Sequence, residues 1–199
     1  LHIINFAQGA FLMLGAYLLY YVLTLFGLDF YSAFVLAVLA VGVLAILTER
    51  YLYHRFWLRG EVLPCLVVSI GLTQVMQNGA LIVFGITDKS VESVFTGVIN
   101  LFGMRFSLER FMIIAVAYVI IAALIVFLSK SKRGQARRAV AQDYDAARLL
   151  GINTKRSAML GMFIGVGLAA VAGAIIAPVY AVSAFMGEFL MIKAFLVIV

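Results

Sequence analysis

The sequence predicts an all-α protein, a polytopic bundle of transmembrane helices, and three observations carry that expectation. Of its 199 residues 65% are hydrophobic and 12% charged, with a mean hydropathy of +1.13. Soluble domains lie near about 45–50% apolar and about 25% charged. Five stretches, Ile3–Leu28, Phe30–Thr48, Val62–Thr87, Phe111–Leu128 and Ser157–Gly187, contain no Asp, Glu, Lys or Arg. Each meets or approaches the roughly 20 apolar residues that a helix needs to cross a hydrocarbon core. None alternates apolar and polar residues with period two, which excludes a porin-like barrel.

In chain order, the first stretch opens on Asn5 and Gln8 beside Gly9. "NFAQG" is the kind of place where a transporter helix breaks and exposes backbone near mid-membrane. Gly27–Asp29 makes a short connection to the second stretch. The third carries Ser69, Thr73, Gln74, Gln77 and Asn78 near its middle. An amide in hydrocarbon costs several kcal/mol without a hydrogen bond. These side chains, with Asn5 and Gln8, therefore either bond between helices, the plainer reading, or line a translocation path. The fifth stretch repeats small residues at Ala158, Gly161, Gly165, Ala169 and Gly173, a stripe on which helices approach closely. Cys65 has no intrachain partner for a disulfide and reads as a small buried packing residue.

Glu188 and Lys193 open a last apolar segment, in which Lys193 is expected to snorkel or to form a local ion pair, with a substrate carboxylate as the other possibility. The chain starts at Leu1 without the basic region of a cleavable signal and stops inside an apolar segment. The expectation is one membrane domain over residues 1–199, cut at both ends.

Sidedness follows from charge. Alternation puts the connections Glu49–Glu61 and Ser129–Arg156 on one side. They hold Arg50, Arg55, Arg59, Lys130, Lys132, Arg133, Arg137, Arg138, Arg148, Lys155 and Arg156, most of the 15 basic residues. The other side has Lys89, Arg105 and Arg110. The positive-inside rule places the first set in the cytoplasm, so the net charge of +6 is a topology signal and nucleic-acid binding is not needed to explain it.

The cytoplasmic loop 130–157 contains the one long polar helix-forming stretch. On a helix over Gln135–Leu150, the residues Ala136, Val140, Tyr144, Ala147 and Leu150 share a side, away from Arg137, Arg138, Gln142, Asp145 and Arg148. Gly151 stands where a helix commonly ends in the left-handed conformation, Ile152 can fold back on Ala147, and Asn153 or Thr154 can cap the next helix. A lipid-surface helix is one reading. The small residues of its apolar side suit close packing against protein better.

"DAARLLG", Asp145 to Gly151, resembles the EAA-x3-G signature of ABC importer permeases, with Asp in place of the first Glu and without the Leu-Pro that closes the fuller signature. Longer matches run in the same order as in the membrane subunits of branched-chain amino acid ABC importers. They are "INFAQGAFLMLGAY" from Ile4, "SIGLTQVMQN" from Ser69, "AARLLGIN" from Ala146 and "KAF" from Lys193. Over essentially the whole chain the sequence is similar to the H-type permease of that system. The resemblance implies the ABC importer permease fold. It also implies a coupling helix in which Asp145, Ala146, Ala147 and Gly151 dock an ATP-binding subunit. Asn5, Gln8, Gln74, Gln77 and Asn78 become candidates for the translocation path. The implied partners are two cytoplasmic ATP-binding subunits, a second permease subunit, an extracytoplasmic solute-binding protein and the lipid of a bacterial inner membrane.

Function classes narrow accordingly. The sequence has no Gly-x4-Gly-Lys-Ser/Thr, so ATP hydrolysis is expected from a partner. "GVGLAA" from Gly165 lies inside an apolar span and is no dinucleotide fingerprint. His2 and His54 have no Cys or carboxylate at ligand spacing, so neither metal nor cofactor is expected. The expected function is the transport subunit of an ATP-driven importer for branched-chain amino acids. The alternatives are a related permease for urea or short amides and an ATP-independent secondary transporter. An intramembrane enzyme lacks a visible nucleophile–base pair.

Overall fold

A computed structural model describes residues 5–53, 56, 62–92, 97–101 and 104–198. His2, His54, Arg55, Arg59 and the residues before Asn5 lie outside the described residues. Five helices are long and apolar enough to span a membrane: Gln8–Phe26, Phe30–Tyr53, Leu63–Phe84, Leu108–Lys130 and Thr154–Ile176. The protein is a multi-pass helical membrane protein. The chain forms two compact units, one of Ile3–Val91 with Met162–Val199 and the other mainly Glu92–Gly161.

The first unit is organised around α1, Gln8–Phe26. The Asn5 Oδ1 accepts the Ala7 N–H at 3.0 Å in the turn that precedes the helix. Gly27, at φ 59°, ends it, its N–H donating to the Leu23 carbonyl. Helix α2, Phe30–Thr48, follows at once because Asp29 caps it. The Asp29 carboxylate accepts the Ser32 hydroxyl at 2.7 Å and the Ser32 N–H at 3.2 Å. The Ser32 hydroxyl first, and its N–H second, hold the Asp29 carboxyl below its ordinary value. A five-residue π-helical turn, Glu49–Tyr53, prolongs α2.

Ala33, Ala37, Val41, Gly42 and Ala45 form the buried side of α2, while Val35, Leu39, Val43 and Leu47 face outward. Small residues inside and branched ones outside suit helix contact on one side and lipid on the other. Helix α3, Val62–Phe84, carries Pro64 in its first turn, where a missing N–H costs nothing. It ends at Gly85, φ 82°. Phe84 stacks between Tyr17 and Tyr21 of α1, with ring centroids at 4.6 and 4.8 Å. Cys65 is buried, as expected.

The second unit opens with an antiparallel hairpin of β1, Val98–Leu101, and β2, Met104–Ser107, pairing Val98 with Ser107 and Leu101 with Met104. The sequence gives no periodic signal for it, and Asp88–Arg110 reads as plain connection. Helix α4, Leu108–Lys130, starts inside that expected connection and takes in Glu109 and Arg110. None of its residues is fully buried within the chain, so much of its surface is open. Ser131 caps α5, Lys132–Gln142, accepting the Gly134 N–H at 2.9 Å. Gly134 sits so close to the backbone of Phe127 and Leu128 that no side chain fits there.

Two expectations need correction. The helix over Gln135–Leu150 is broken: α5 ends at Gln142, and α6, Tyr144–Leu149, starts anew. The Asp143 Oδ1 accepts the Ala146 N–H at 3.0 Å, so its own backbone is extended and cannot continue α5. The second correction concerns Ser157–Gly187, which is not one span. Helix α7, Thr154–Ile176, stops before Pro178. A strap then leads to α8, Met186–Ile198. Val182 in that strap exchanges two backbone hydrogen bonds with Lys89, at 3.0 and 2.7 Å, which holds it to the segment after α3.

Of the small-residue stripe, Gly173 lies against a neighbouring helix. A Cβ at Gly173 would collide with the Leu12 carbonyl, and one on Gly15 of α1 would lie 2.5 Å from the Ala170 oxygen. Gly42 of α2 leaves room for the Phe163 ring. α1 is thereby held by α2, α3, α7 and α8, and its residues Phe11, Met13, Ala16, Tyr17 and Leu19 are the centre of the core.

Candidate functional site

Three helices of the first unit line an open cavity of about 450 Å³. From α3 come Ile70, Thr73, Gln74 and Gln77, spaced i, i+3, i+4 and i+7, which is one helix face. From α8 come Glu188, Met191, Ile192, Phe195 and Leu196, in the same register. α1 and the turn before it supply Phe6, Gly9 and Ala10. The Phe6 and Phe195 rings stack nearly parallel, with centroids 6.0 Å apart. Gly9 and Gly187 fix how α1 meets α8: a Cβ on Gly9 would lie 2.6 Å from the Gly187 oxygen, and one on Gly187 would strike the Gly9 carbonyl. Both are buried, so the two backbones touch directly.

The walls are mostly aliphatic and aromatic, with few polar groups. The Thr73 hydroxyl donates to the Ser69 carbonyl at 2.9 Å, one turn back. Gln77 is 3% exposed, and among the described residues its amide has no hydrogen-bond partner. The Glu188 carboxylate lies in the first turn of α8 and likewise has no cation or donor among the described residues. Lys193 is not among the residues that line the cavity; it is exposed, and its ammonium sits 4.3 Å from the centroid of the Phe189 ring, a cation–π contact. A volume of this size lies within the roughly 300–1,000 Å³ of small-molecule sites, which are apolar pockets with a few placed polar groups.

Of the five path candidates, the structure brings Gln74 and Gln77 to the cavity and leaves three elsewhere. Asn5 bonds the Tyr53 hydroxyl at 3.1 Å and the Met162 sulfur at 3.8 Å. The Gln8 amide donates to the Gly165 carbonyl at 2.8 Å, crossing from α1 to α7. Asn78 is exposed and donates to the Gln74 carbonyl at 2.8 Å within its own helix. Sequence reasoning missed the α8 face. Its register, 188, 191, 192, 195 and 196, was available as a signal, with one carboxylate in line with four large apolar residues.

The second unit holds the other candidate. The Ile152 N–H donates to the Ala147 carbonyl at 3.1 Å and the Gly151 N–H to the Arg148 carbonyl at 3.0 Å. With Gly151 at φ 78°, this is a Schellman turn, and Ile152 folds back as expected. The Asn153 Oδ1 then caps α7 through the Arg156 N–H at 3.0 Å. Ala147 is 2% exposed and Val140 1%, whereas Leu149 and Leu150 are 89% and 80% exposed. Asp145 and Ala146 are exposed as well. The break at Asp143 rotates Leu150 off the side of Val140 and Ala147, so Ala147 packs inward and the open surface is Asp145, Ala146, Leu149 and Leu150.

The comparisons with known proteins agree with this architecture. Residues 1–199 match the family described as the permease component of branched-chain amino acid transport systems. The chain belongs to that family. It is 30% identical to the high-affinity branched-chain amino acid transport system permease protein BraD of Pseudomonas aeruginosa, over 90% of this chain and 62% of BraD. It is 31% identical to the permease protein LivH of Escherichia coli K12, over 96% of this chain and 67% of LivH. LivH of Salmonella typhimurium is 30% identical over the same shares. This chain thus spans about three-fifths to two-thirds of those relatives. No solved structure matches it.

Proposed function

We propose that the chain is the membrane permease of an ATP-driven importer that carries branched-chain amino acids across a bacterial inner membrane. The observation that carries the reading is the family match over residues 1–199. The cavity supports it. Aliphatic and aromatic walls suit a branched side chain, whose burial is worth about 1.5–3 kcal/mol, and they offer a small polar amide or urea much less. The mechanism is alternating access. A cytoplasmic ATP-binding subunit seats on α6, closes on ATP, and moves the helices around the path. A second permease subunit completes that path, and an extracytoplasmic solute-binding protein delivers the solute. The permease catalyses no covalent chemistry.

The docking surface is the exposed Asp145, Ala146, Leu149 and Leu150, held by the Asp143 cap before it and the Gly151 turn after it. Leu149 and Leu150 are apolar side chains left open on a polar segment, which is how a protein contact looks before it is covered. Ala146→Arg puts a long charged side chain into that contact. It is expected to leave membrane levels normal while abolishing copurification of the ATP-binding subunit and leucine uptake. Retention of both by Ala146→Arg removes the docking assignment. Ala147→Arg is the weaker test, because Ala147 is packed inside and its substitution damages the segment itself.

A further inference from the structure

We propose that the cavity between α1, α3 and α8 is a zwitterion-selective solute site, in which the Glu188 carboxylate receives the solute's α-ammonium and the Gln77 amide its carboxylate. This rests on the transport reading above and deepens it, because nothing in that reading says which residues tell an amino acid from a neutral amide.

The first observation is the unused polar capacity. Gln77 is almost wholly buried, faces the cavity, and has an amide without a partner among the described residues. Its amide opens on the cavity rather than being sealed in the core, so a solute there can supply the bond that the protein does not. Asn5, Gln8 and Asn78 show the contrast, since each has found a protein acceptor or donor. The second observation is charge. Among the described residues Glu188 is the one ionisable side chain that lines the cavity; it is exposed and has no cationic partner. Lys193, on the same helix, is turned to the Phe189 ring and leaves that carboxylate alone. A lone carboxylate recognises a cation, and an anionic solute gains nothing from it.

The third observation is the order along the helices. On α3, Ile70 lies two turns from Gln77, with Thr73 and Gln74 between them. On α8, Glu188 stands at the N-terminal end and Met191, Ile192 and Phe195 follow. α8 therefore offers a carboxylate followed by an apolar stretch, while α3 offers Gln77, Gln74 and Thr73 with a single apolar residue, Ile70, at the far end. A small molecule with charge at one end and a branched hydrocarbon at the other matches α8. Urea has no group for the apolar stretch and no charge for Glu188. In a structural role Glu188 would only complement the positive end of the α8 dipole, and that role is indifferent to which solute is present.

Occupancy can be read without the binding protein, so that any discrimination belongs to the cavity. The probe is labelling of Thr73→Cys by a methanethiosulfonate in the reconstituted full complex, on a Cys65→Ser background. The competing solutes are L-leucine, 3-methylbutylamine (no carboxylate), 4-methylpentanoate (no ammonium), urea and acetamide. Leucine is expected to slow labelling at the lowest concentration, and the amine at a higher one because it lacks the group that Gln77 receives. The acid, urea and acetamide are expected to need about tenfold more or to fail, as befits loss of one charge-assisted hydrogen bond.

Glu188→Gln should raise the leucine and amine concentrations required by about tenfold and leave the acid unchanged, with Glu188→Asp recovering most of the effect. Gln77→Leu should weaken leucine and spare the amine. If the acid protects as well as leucine and Glu188→Gln changes nothing, the proposal is overturned and Glu188 is only a helix-end charge. If no solute slows labelling, the cavity is not a solute site, although leucine uptake would still support the transport reading. If urea or acetamide protects and leucine does not, the proposal and the branched-chain reading fall together.

Discussion

The contact between Gly9 and Gly187 makes a quantitative demand. A Cβ on Gly9 would lie 2.6 Å from the Gly187 oxygen, 2.9 Å from its carbonyl carbon and 3.4 Å from the Met191 Cβ. Two of these three neighbours are backbone, so no rotamer change relieves the clash. Ordinary contact begins near 3.4 Å, so α1 and α8 must part by roughly 0.8 Å at this point, and a radial gap of that size forfeits about a quarter to a half of each dispersion well along the seam. Overpacking of this kind costs about 1–3 kcal/mol. Against it stands the gain of about 1 kcal/mol in helix propensity for Gly→Ala.

Gly9→Ala should therefore destabilise the purified complex by up to about 2 kcal/mol net, the difference between those terms. Gly187→Ala should cost at least as much. The matched controls are Gly79→Ala and Gly167→Ala, where a Cβ meets nothing within 4 Å and propensity alone acts. The assay is loss of monodisperse complex on heating, followed by fluorescence-detected gel filtration. Controls that are neutral or stabilised beside a lowered Gly9→Ala midpoint are the expected pattern. Equal midpoints for all four variants would show that the two backbones do not meet as described, and the wall of the cavity would lose its basis.

Three further outcomes follow from the same geometry. Single cysteines on a Cys65→Ser background should report sidedness: Arg138→Cys should react with an impermeant thiol reagent only from the cytoplasm and Lys89→Cys only from outside, so labelling of Arg138→Cys in intact cells would overturn the topology. Gln8→Leu breaks the bond to the Gly165 carbonyl without touching the cavity; it should lower complex stability by about 1 kcal/mol and leave uptake per folded molecule near wild type, and selective loss of uptake would return Gln8 to the path. The Asp29 cap gives a pH dependence. Its carboxyl is held below the ordinary value, so its contribution to stability is complete above the unfolded value and is lost as pH falls through the folded one; Asp29→Asn should lower the thermal midpoint at pH 7 and flatten its decline in acid, and identical acid limbs would refute the role of the cap.

How far the sequence could be read differs from helix to helix, for a physical reason. Charge-free runs mark where a chain is in hydrocarbon, because burying a charge there is expensive, and the span limits at Phe30, Phe84 and Lys130 fall where charge or glycine resumes. The Schellman turn was legible because Gly151, Ile152 and Asn153 each need only their immediate neighbours to act. The break at Asp143 is equally local, but amphipathic periodicity runs through it: Val140, Tyr144 and Ala147 keep helical spacing on both sides, so the pattern alone cannot register an extended residue. Hydropathy was blind to the end of α7. The strap after it, with Ala177, Val179 and Val182, is as apolar as a span, and the two backbone hydrogen bonds that Val182 exchanges with Lys89 depend on residues far apart in sequence.

The division among the amides has the same cause. Asn5, Gln8, Gln74, Gln77 and Asn78 are chemically alike in a membrane, and burial cost alone demands only that each find a partner. Which ones find it in protein depends on what lies across the helix, a carbonyl such as that of Gly165 or an open face. Gln77 became distinguishable only when α8 was seen opposite it. Among the described residues that line the cavity from α8, Glu188 alone is polar, and the Gln77 amide makes no hydrogen bond to it. The residue left unsatisfied by the fold is therefore the one best placed to be satisfied by a solute.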